Sequence, residues 1–393
     1  MPRFDWNRTT PPAVEPLLPS SAERWGARPD DHLVVHGDNL AALAALLPIH
    51  EGRVRLVCID PPFFTGKSWT MGFPGLEREE VAFADNRFGG IDGYLDFLHH
   101  RIVLLHRLLM PEGTIFVHLD YRAAHYVRLV LEEVFGSDRL LNEIIWSYAS
   151  GGGSSERFGR KHDTILWFAK GDGHVFHRDA VRVPYRAAIA PSRRSLFHEN
   201  GMVCPDVWEI SRGRNGDGAT GYPTEKPHAL VHRMIVAASN EGDLVLDAFA
   251  GSGSVAEAAA ACGRRSISID ASPLAIQCHR RRLSLAEVGF TVLSQLPAQE
   301  RGLSATIETH GVESVVTLGG DLPEDLDGWA LDEADSAEAP LRPVWVAWRG
   351  KKNRRPELAS DRILLTGSKA LFRLSVWTID GARFFALMPA SGR

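Results

Sequence analysis

The chain has 393 residues, with 44% hydrophobic and 24% charged residues, the balance of an ordinary globular protein of one large or two medium domains. A net charge of −5 argues against a uniformly basic chain, so any surface for nucleic acid has to be local. No apolar run approaches the ~20 residues of a membrane span. The first residues lack the apolar core of a signal peptide, and Cys58, Cys204, Cys262 and Cys278 stand far apart without CxxC spacing. They read as reduced thiols of a cytoplasmic protein, not as a zinc site or disulfide framework.

Residues 1–30, rich in Pro, Arg and Ser, read as an extended N-terminal arm. Residues 31–169 alternate strand and helix patterns. A short strand at 33–36 is followed by a helix to about Pro48 and a buried strand at 54–59. Residues 64–92 lack periodicity and read as a long loop, which next to a candidate site is more often functional than a short connection. A helix at 94–109, a strand at 113–120, a helix at 123–135 and strands at 143–146 and 163–168 complete this part. The alternation predicts a doubly wound, mostly parallel α/β sheet.

Residues 170–222 lose that rhythm. Across 151–215 there are 11 Lys and Arg against 7 Asp and Glu, a local excess of four positive charges. Arg178, Arg182, Arg186, Arg193 and Arg194 stand among Tyr185, Phe197 and Trp208. One reading is a solvated loop; the other is a DNA surface, where arginines meet phosphates and a few side chains reach base edges. The α/β rhythm returns over 223–292, with a basic stripe of Arg280, Arg281 and Arg282 on its last helix. Residues 293–393 turn acidic and then basic, with short alternating strands, and predict a small β-rich C-terminal region.

Two stretches carry chemistry. The strand at 54–59 ends in Asp60-Pro61-Pro62-Phe63. Two prolines cannot continue a sheet and bring stiff carbonyl acceptors. A carboxylate, a fixed carbonyl and a ring face suit a planar group bearing an NH2, such as a nucleobase. Alone, the same residues are equally a strand stopped by prolines with a core phenylalanine. The second stretch, Asp247-Ala248-Phe249-Ala250-Gly251-Ser252-Gly253, lies between a strand and a helix, with Asp270 ending the next strand. That is the layout of a nucleoside-cofactor βαβ unit, in which glycines admit the cofactor to the backbone and the acid accepts from ribose hydroxyls. The GxGxxG fingerprint is broken by Ala256, which favours a cofactor without pyrophosphate, such as S-adenosylmethionine.

With these motifs the chain resembles the amino-group DNA methyltransferases, which modify N6 of adenine or N4 of cytosine. Asp60, Pro61, Pro62 and Phe63 match the family's catalytic [DNS]-P-P-[YFW] tetrapeptide, and Phe249 to Gly253 match its F-x-G-x-G cofactor motif. Thr224-Glu225-Lys226-Pro227 resembles a further cofactor motif, and Gly37-Asp38-Asn39-Leu40 a segment near the cofactor's adenine. The catalytic motif comes first, the basic segment second and the cofactor motif last, as in the β group. Asn142 to Trp146 with Lys161 to Leu166 further resemble type III modification subunits and their solitary relatives.

The resemblance implies a catalytic half at 31–169, a target-recognition region at 170–222 and a cofactor-binding half at 223–292. Asp60, Pro61, Pro62 and Phe63 are then catalytic. Asp38, Asn39, Asp60, Thr224, Lys226, Pro227, Asp247, Phe249, Ala250, Gly251, Ser252, Gly253 and Asp270 bind S-adenosylmethionine. Arg178, Arg182, Arg186, Arg193 and Arg194 bind double-stranded DNA. A homodimer and a restriction-subunit partner are also compatible with it. Asp in the tetrapeptide points to adenine, with N4-cytosine as the alternative. An NAD-dependent oxidoreductase could own the βαβ unit, and a DNA-binding module with a decayed methylase the basic segment. His118 and Asp120 end a strand and so lie near the cleft without being assigned catalysis, while His99, His100 and His106, on or beside a helix, read as packing or surface residues. No cluster has metal-ligand spacing.

Overall fold

The computed structural model describes residues 19, 21–72, 79–85, 88–149, 153–185, 198–212 and 220–294 and, beyond these, residues 340–341 and the C-terminal strands given below. Its elements are β1 (Ser21–Trp25), β2 (His32–His36), α1 (Asn39–His50), β3 (Val54–Ile59), β4 (Ser68–Gly72), β5 (Glu79–Ala84), α2 (Ile91–Leu108), β6 (Leu109–Leu119), α3 (Ala124–Phe135), β7 (Leu140–Ser147), β8 (His162–Ala169) and β9 (Val207–Glu209). They continue with α4 (His228–Ala238), β10 (Leu244–Asp247), α5 (Ser254–Ala261), β11 (Arg265–Asp270), α6 (Pro273–Leu285) and β12 (Phe290–Ser294).

Ten of these strands form one sheet in the order β1-β12-β2-β11-β10-β3-β6-β8-β7-β9. The run from β12 to β6 is parallel, while β8 is antiparallel to both of its neighbours, β6 and β7. The sheet is therefore mixed but mostly parallel, as the strand-helix alternation predicts. Period-two alternation divides β3 between two cores: Val57 and Ile59 pack toward α1, α2 and α3, while Leu56 and Cys58 pack toward α4 and α5. On α2, Tyr94, Leu95, Leu98, Ile102, Leu105 and Leu108 recur at helical spacing and are fully buried. Asp38 caps α1, its carboxylate accepting from the N–H groups of Leu40 (2.9 Å) and Ala41 (3.3 Å).

The order has one consequence for function. β3 and β10 are neighbours, with Leu56 opposite Val245 and Val57 opposite Leu246. Residues nearly half the chain apart thus leave the sheet side by side at its carboxyl edge, where open α/β folds bind ligands.

Three local expectations change. Ser21–Trp25, placed in the N-terminal arm, pairs antiparallel with β12, and Trp25 stacks on Phe290 at 5.2 Å. Its alternation is too short to stand out in a polar segment. The loop at 64–92 contains the β4–β5 hairpin. Helix α1 passes Pro48 and ends at His50, because a proline so near the end interrupts little of the hydrogen-bond ladder. Beyond β12, Gln299–Glu300, Arg383–Pro389, Leu371–Thr378, Leu326–Glu333 and Pro343–Trp348 form a five-stranded sheet, and Leu303–His310, Glu313–Gly320 and Leu358–Ile363 a three-stranded one. Trp377 stacks on Trp25 (5.2 Å) and Trp348 (5.5 Å), so this region shares a core with β1 and β12.

Candidate active site

Asp60 follows β3 directly and has two basic partners. His118, near the end of β6, places Nδ1 at 2.6 Å from one carboxylate oxygen, and the Lys226 ammonium donates to the other. Burial pushes the Asp60 carboxyl up, but Lys226 and His118 outweigh it and hold the group below the usual carboxylate range. Phe63 meets His118 edge-on at 5.1 Å, and the Lys226 ammonium lies 5.6 Å over the Phe63 ring. The lysine thus occupies the place between a carboxylate and an aromatic face.

The turn is fixed from both sides. The Tyr94 hydroxyl donates to the Pro62 carbonyl at 2.7 Å. Phe64 adopts a left-handed backbone (φ 56°), uncommon for a bulky residue. Buried Asp85, from the end of the hairpin, accepts from the N–H groups of Phe64 and Thr65 (both 3.0 Å) and from the Thr65 hydroxyl (2.6 Å). Thr224, at φ 62°, is strained in the same way, and its carbonyl accepts from Lys226 at 3.0 Å. Such strain persists where surrounding bonds over-determine it, often at functional sites.

A cavity of about 300 Å³ runs from Asp60 and Phe63 past Phe249 and Gly251 to Asp270, with Asp38 and Asn39 on its wall. That is the lower end of the usual range for ligand pockets. Gly251 (φ 45°) and Gly253 (φ 80°) form its turn, and a side chain at 253 would meet the His279 ring at 3.1 Å. Asp270 accepts from Gly251 N–H and Ser272 N–H, both at 2.8 Å, which orients its carboxylate at the rim. Asn39 donates to the Ala248 carbonyl at 2.7 Å and accepts from Arg101 at 2.5 Å; Arg101 also holds Asp38 at 3.1 Å. Asp247 is buried at the end of β10, where desolvation first, with Asp60 and Asp270 adding to it, pushes its carboxyl up to about 8. A buried acid so placed suits a cationic ligand group.

The sequence-predicted residues around the cleft therefore meet: Asp60, Pro61, Pro62, Phe63, Thr224, Lys226, Phe249, Ala250, Gly251, Ser252 and Asp270 all line it, and Pro227 caps α4 beside it. Gly253 lies behind the turn against His279. The arginines of 170–222 fare differently. Arg178 is exposed, but Arg182 is only 11% exposed and committed to Asp179 (2.7 Å) and the Gly201 carbonyl (2.8 Å), so it is a structural tie of its own segment. Arg186, Arg193 and Arg194 lie outside the described residues. Two arginines of the α6 stripe are internal, Arg280 pairing with Glu23 and Arg282 with Glu225 and Glu257, while Arg281 is half-buried.

Sequence reasoning set His118 aside and passed over Asp85 and Asp163, all of which the fold brings to the site. His118 and Asp163 lie on adjacent antiparallel strands, a relation that spacing along the chain does not show. Among the described residues, no group of three or more His, Cys, Asp or Glu could hold a metal ion. No described helix is long and apolar enough to cross a membrane.

Comparison with known proteins gives a match to the DNA methylase family model over residues 54–278. The chain is 31% identical over 256 residues to the Type II methyltransferase M.HpaI of Haemophilus parainfluenzae, covering 65% of this chain and 76% of that protein. It is also 31% identical over 265 residues to the DNA adenine methyltransferase YhdJ of Escherichia coli, covering 64% and 83%. Similar solved structures include an M1.HpyAVI–SAM complex (21% identity, TM-score 0.45, 64% of this chain and 98% of that one). The cytosine-N4-specific PvuII DNA methyltransferase is another (18% identity, TM-score 0.47, 65% and 89%). M.HpaI is named a Type II methyltransferase and YhdJ a DNA adenine methyltransferase, so these relatives do not confirm the type III resemblance.

Proposed function

The chain belongs to the amino-group DNA methylase family, and on that premise we propose that it moves a methyl group from S-adenosylmethionine to the exocyclic N6 of an adenine flipped out of double-stranded DNA. The observation that carries this reading is that Asp60 and Phe63 open on the same cavity as Phe249, Gly251 and Asp270, while Asp247 lines an adjoining pocket that Asp60 and Gly251 share.

The residues present fit the cofactor. Asp247, buried and held near neutrality, suits the ammonium of an amino-acid tail. Asp270, oriented at the rim by two backbone N–H groups, is an acceptor suited to ribose hydroxyls. The glycine turn leaves the backbone open to close approach. When bound, S-adenosylmethionine supplies an electrophilic methyl group.

The target must leave the helix to reach this pocket, and unstacking costs a few kcal/mol that stacking on Phe63 helps to offset. Its amino nitrogen is a poor nucleophile, because the lone pair is delocalised into the ring. Asp60, with the Pro61 carbonyl, accepts its N–H bonds, drawing the nitrogen toward tetrahedral geometry and freeing the lone pair. The amino group replaces the Lys226 ammonium on Asp60, one N–H donor for another. Catalysis comes from position and electrostatics, since an error of ~1 Å can cost ~100-fold.

Adenine is favoured by Asp at the head of the tetrapeptide and by the name of one relative. N4 of cytosine is the second reading, and Phe63 in place of the tyrosine common in adenine enzymes favours it. DNA from cells expressing the chain, digested to nucleosides and weighed by mass spectrometry, should contain N6-methyladenine. N4-methylcytosine would transfer the reading to cytosine, and neither base modified would refute it.

A further inference from the structure

Behind Asp60 lies a second layer. His118 is 6% exposed and presents opposite ring atoms to two carboxylates: Nδ1 to Asp60 at 2.6 Å and Nε2 to Asp163 at 3.5 Å. The longer contact is a charge contact and not a hydrogen bond, since Nε2 is buried without a hydrogen-bond partner. Asp163 on β8 is itself secured: it accepts from the Tyr148 hydroxyl at 3.1 Å and from Arg212 at 3.0 Å, and the guanidinium stacks 3.7 Å over the Tyr148 ring. The ring faces of His118 are filled by Phe63 and by Trp146, 5.3 Å away. Every direction in which the imidazole could turn is taken.

We propose that His118, backed by Asp163, is a positioning residue that pins one oxygen of Asp60 so that the other faces the target amino group. This rests on the function proposed above. A carboxylate turns easily about its last torsion, whose well is broad and two-fold. A single fixed bond at Oδ1 removes that freedom, and Oδ2, where Lys226 now donates, becomes the substrate's acceptor. The clamp also supplies charge. Asp163 is driven up by burial, but His118 and Arg212 overcome this and bring it down to about 2, so it stays ionised behind the ring. The groups facing Asp60 and His118 come from every neighbouring element: Lys226 before α4, Tyr94 on α2, Tyr222, Asp247 on β10, Asp163 on β8 and Asp120 after β6.

Two variants test this. In His118→Leu the pin is gone. In His118→Asn the amide nitrogen reaches the position of Nδ1 and can restore the bond to Asp60. Turnover on DNA should fall roughly 100-fold in His118→Leu with cofactor affinity within about twofold, and His118→Asn should recover most of that loss. The acid limb of the pH–rate profile should move to higher pH in His118→Leu. The carboxyl 13C resonance of Asp60, in protein labelled at aspartate, should titrate at higher pH as well. Unchanged turnover and an unchanged Asp60 midpoint in His118→Leu would overturn the clamp. So would a folded, cofactor-binding His118→Asn as inactive as the leucine variant. If His118→Leu fails to fold, the asparagine variant alone decides by the same two readouts. A shifted Asp60 midpoint in a chain whose wild type methylates no DNA would uphold the clamp and refute the function.

Discussion

At the residue scale, the chemistry rests on three carboxylates in one cleft kept in different states. Asp60 is held ionised by Lys226 and His118, Asp270 is oriented by two backbone N–H groups, and Asp247 is pushed up to about 8, by burial first and then by the other two acids. Its folded-state value lies above the unfolded one, so between about pH 4 and pH 8 the native chain holds a proton that the unfolded chain has lost. This group's contribution to stability is therefore present at low pH and lost as pH rises through that window. A cationic group binding beside it would expel the proton. Cofactor binding at pH 6.5 should thus release about one proton, measured by calorimetry in buffers of different ionisation enthalpy, and tighten as pH rises to 8. Asp247→Asn should remove both effects; proton release equal to wild type would contradict this. The identities of these acids were legible in the motifs. Their different states were not, because they depend on distances between strands that the chain order does not encode.

At the scale of elements, the long segment after the catalytic turn shows what periodicity misses. Residues 64–92 read as a loop, yet they contain a hairpin whose last residues bring Asp85 back under Phe64. The strands are short, and the segment between them hides their alternation. The strained turn at Phe64 is held by three bonds to one buried carboxylate. Asp85→Ala removes all three and should cost about 2–3 kcal/mol in denaturant unfolding, with methyl transfer falling more than cofactor affinity. Full activity together with a loss below 1 kcal/mol would show that the turn is rigid without Asp85. The helices and inner strands were well signalled, since buried parallel strands and amphipathic helices carry the strongest patterns. Edge strand β1 was not, and its partner β12 lies more than 250 residues away.

At the scale of the whole molecule, the sheet order performs the assembly. It sets β3 beside β10 and so joins a tetrapeptide and a glycine turn from opposite ends of the matched region. Adjacency of this kind could be inferred once both motifs were assigned to parallel strands, but the exchange of β1 and of the C-terminal strands with the core could not. There Glu23 accepts from Trp25 (2.5 Å) and pairs with buried Arg280 (3.0 Å), beside Trp377 from the C-terminal sheet. Glu23→Ala removes the carboxylate that pairs with buried Arg280 and accepts from Trp25, and should destabilise the chain by about 3–5 kcal/mol in chemical denaturation. A loss under 1 kcal/mol would mean that this junction is hydrated. The claim on which all of this depends is that Asp60 is the acceptor for the target amino group. Its most direct test is Asp60→Ala, with radiolabelled methyl transfer to duplex DNA and cofactor affinity measured on the same preparation. The account predicts transfer reduced to background with cofactor still bound; transfer near the wild-type rate would contradict it.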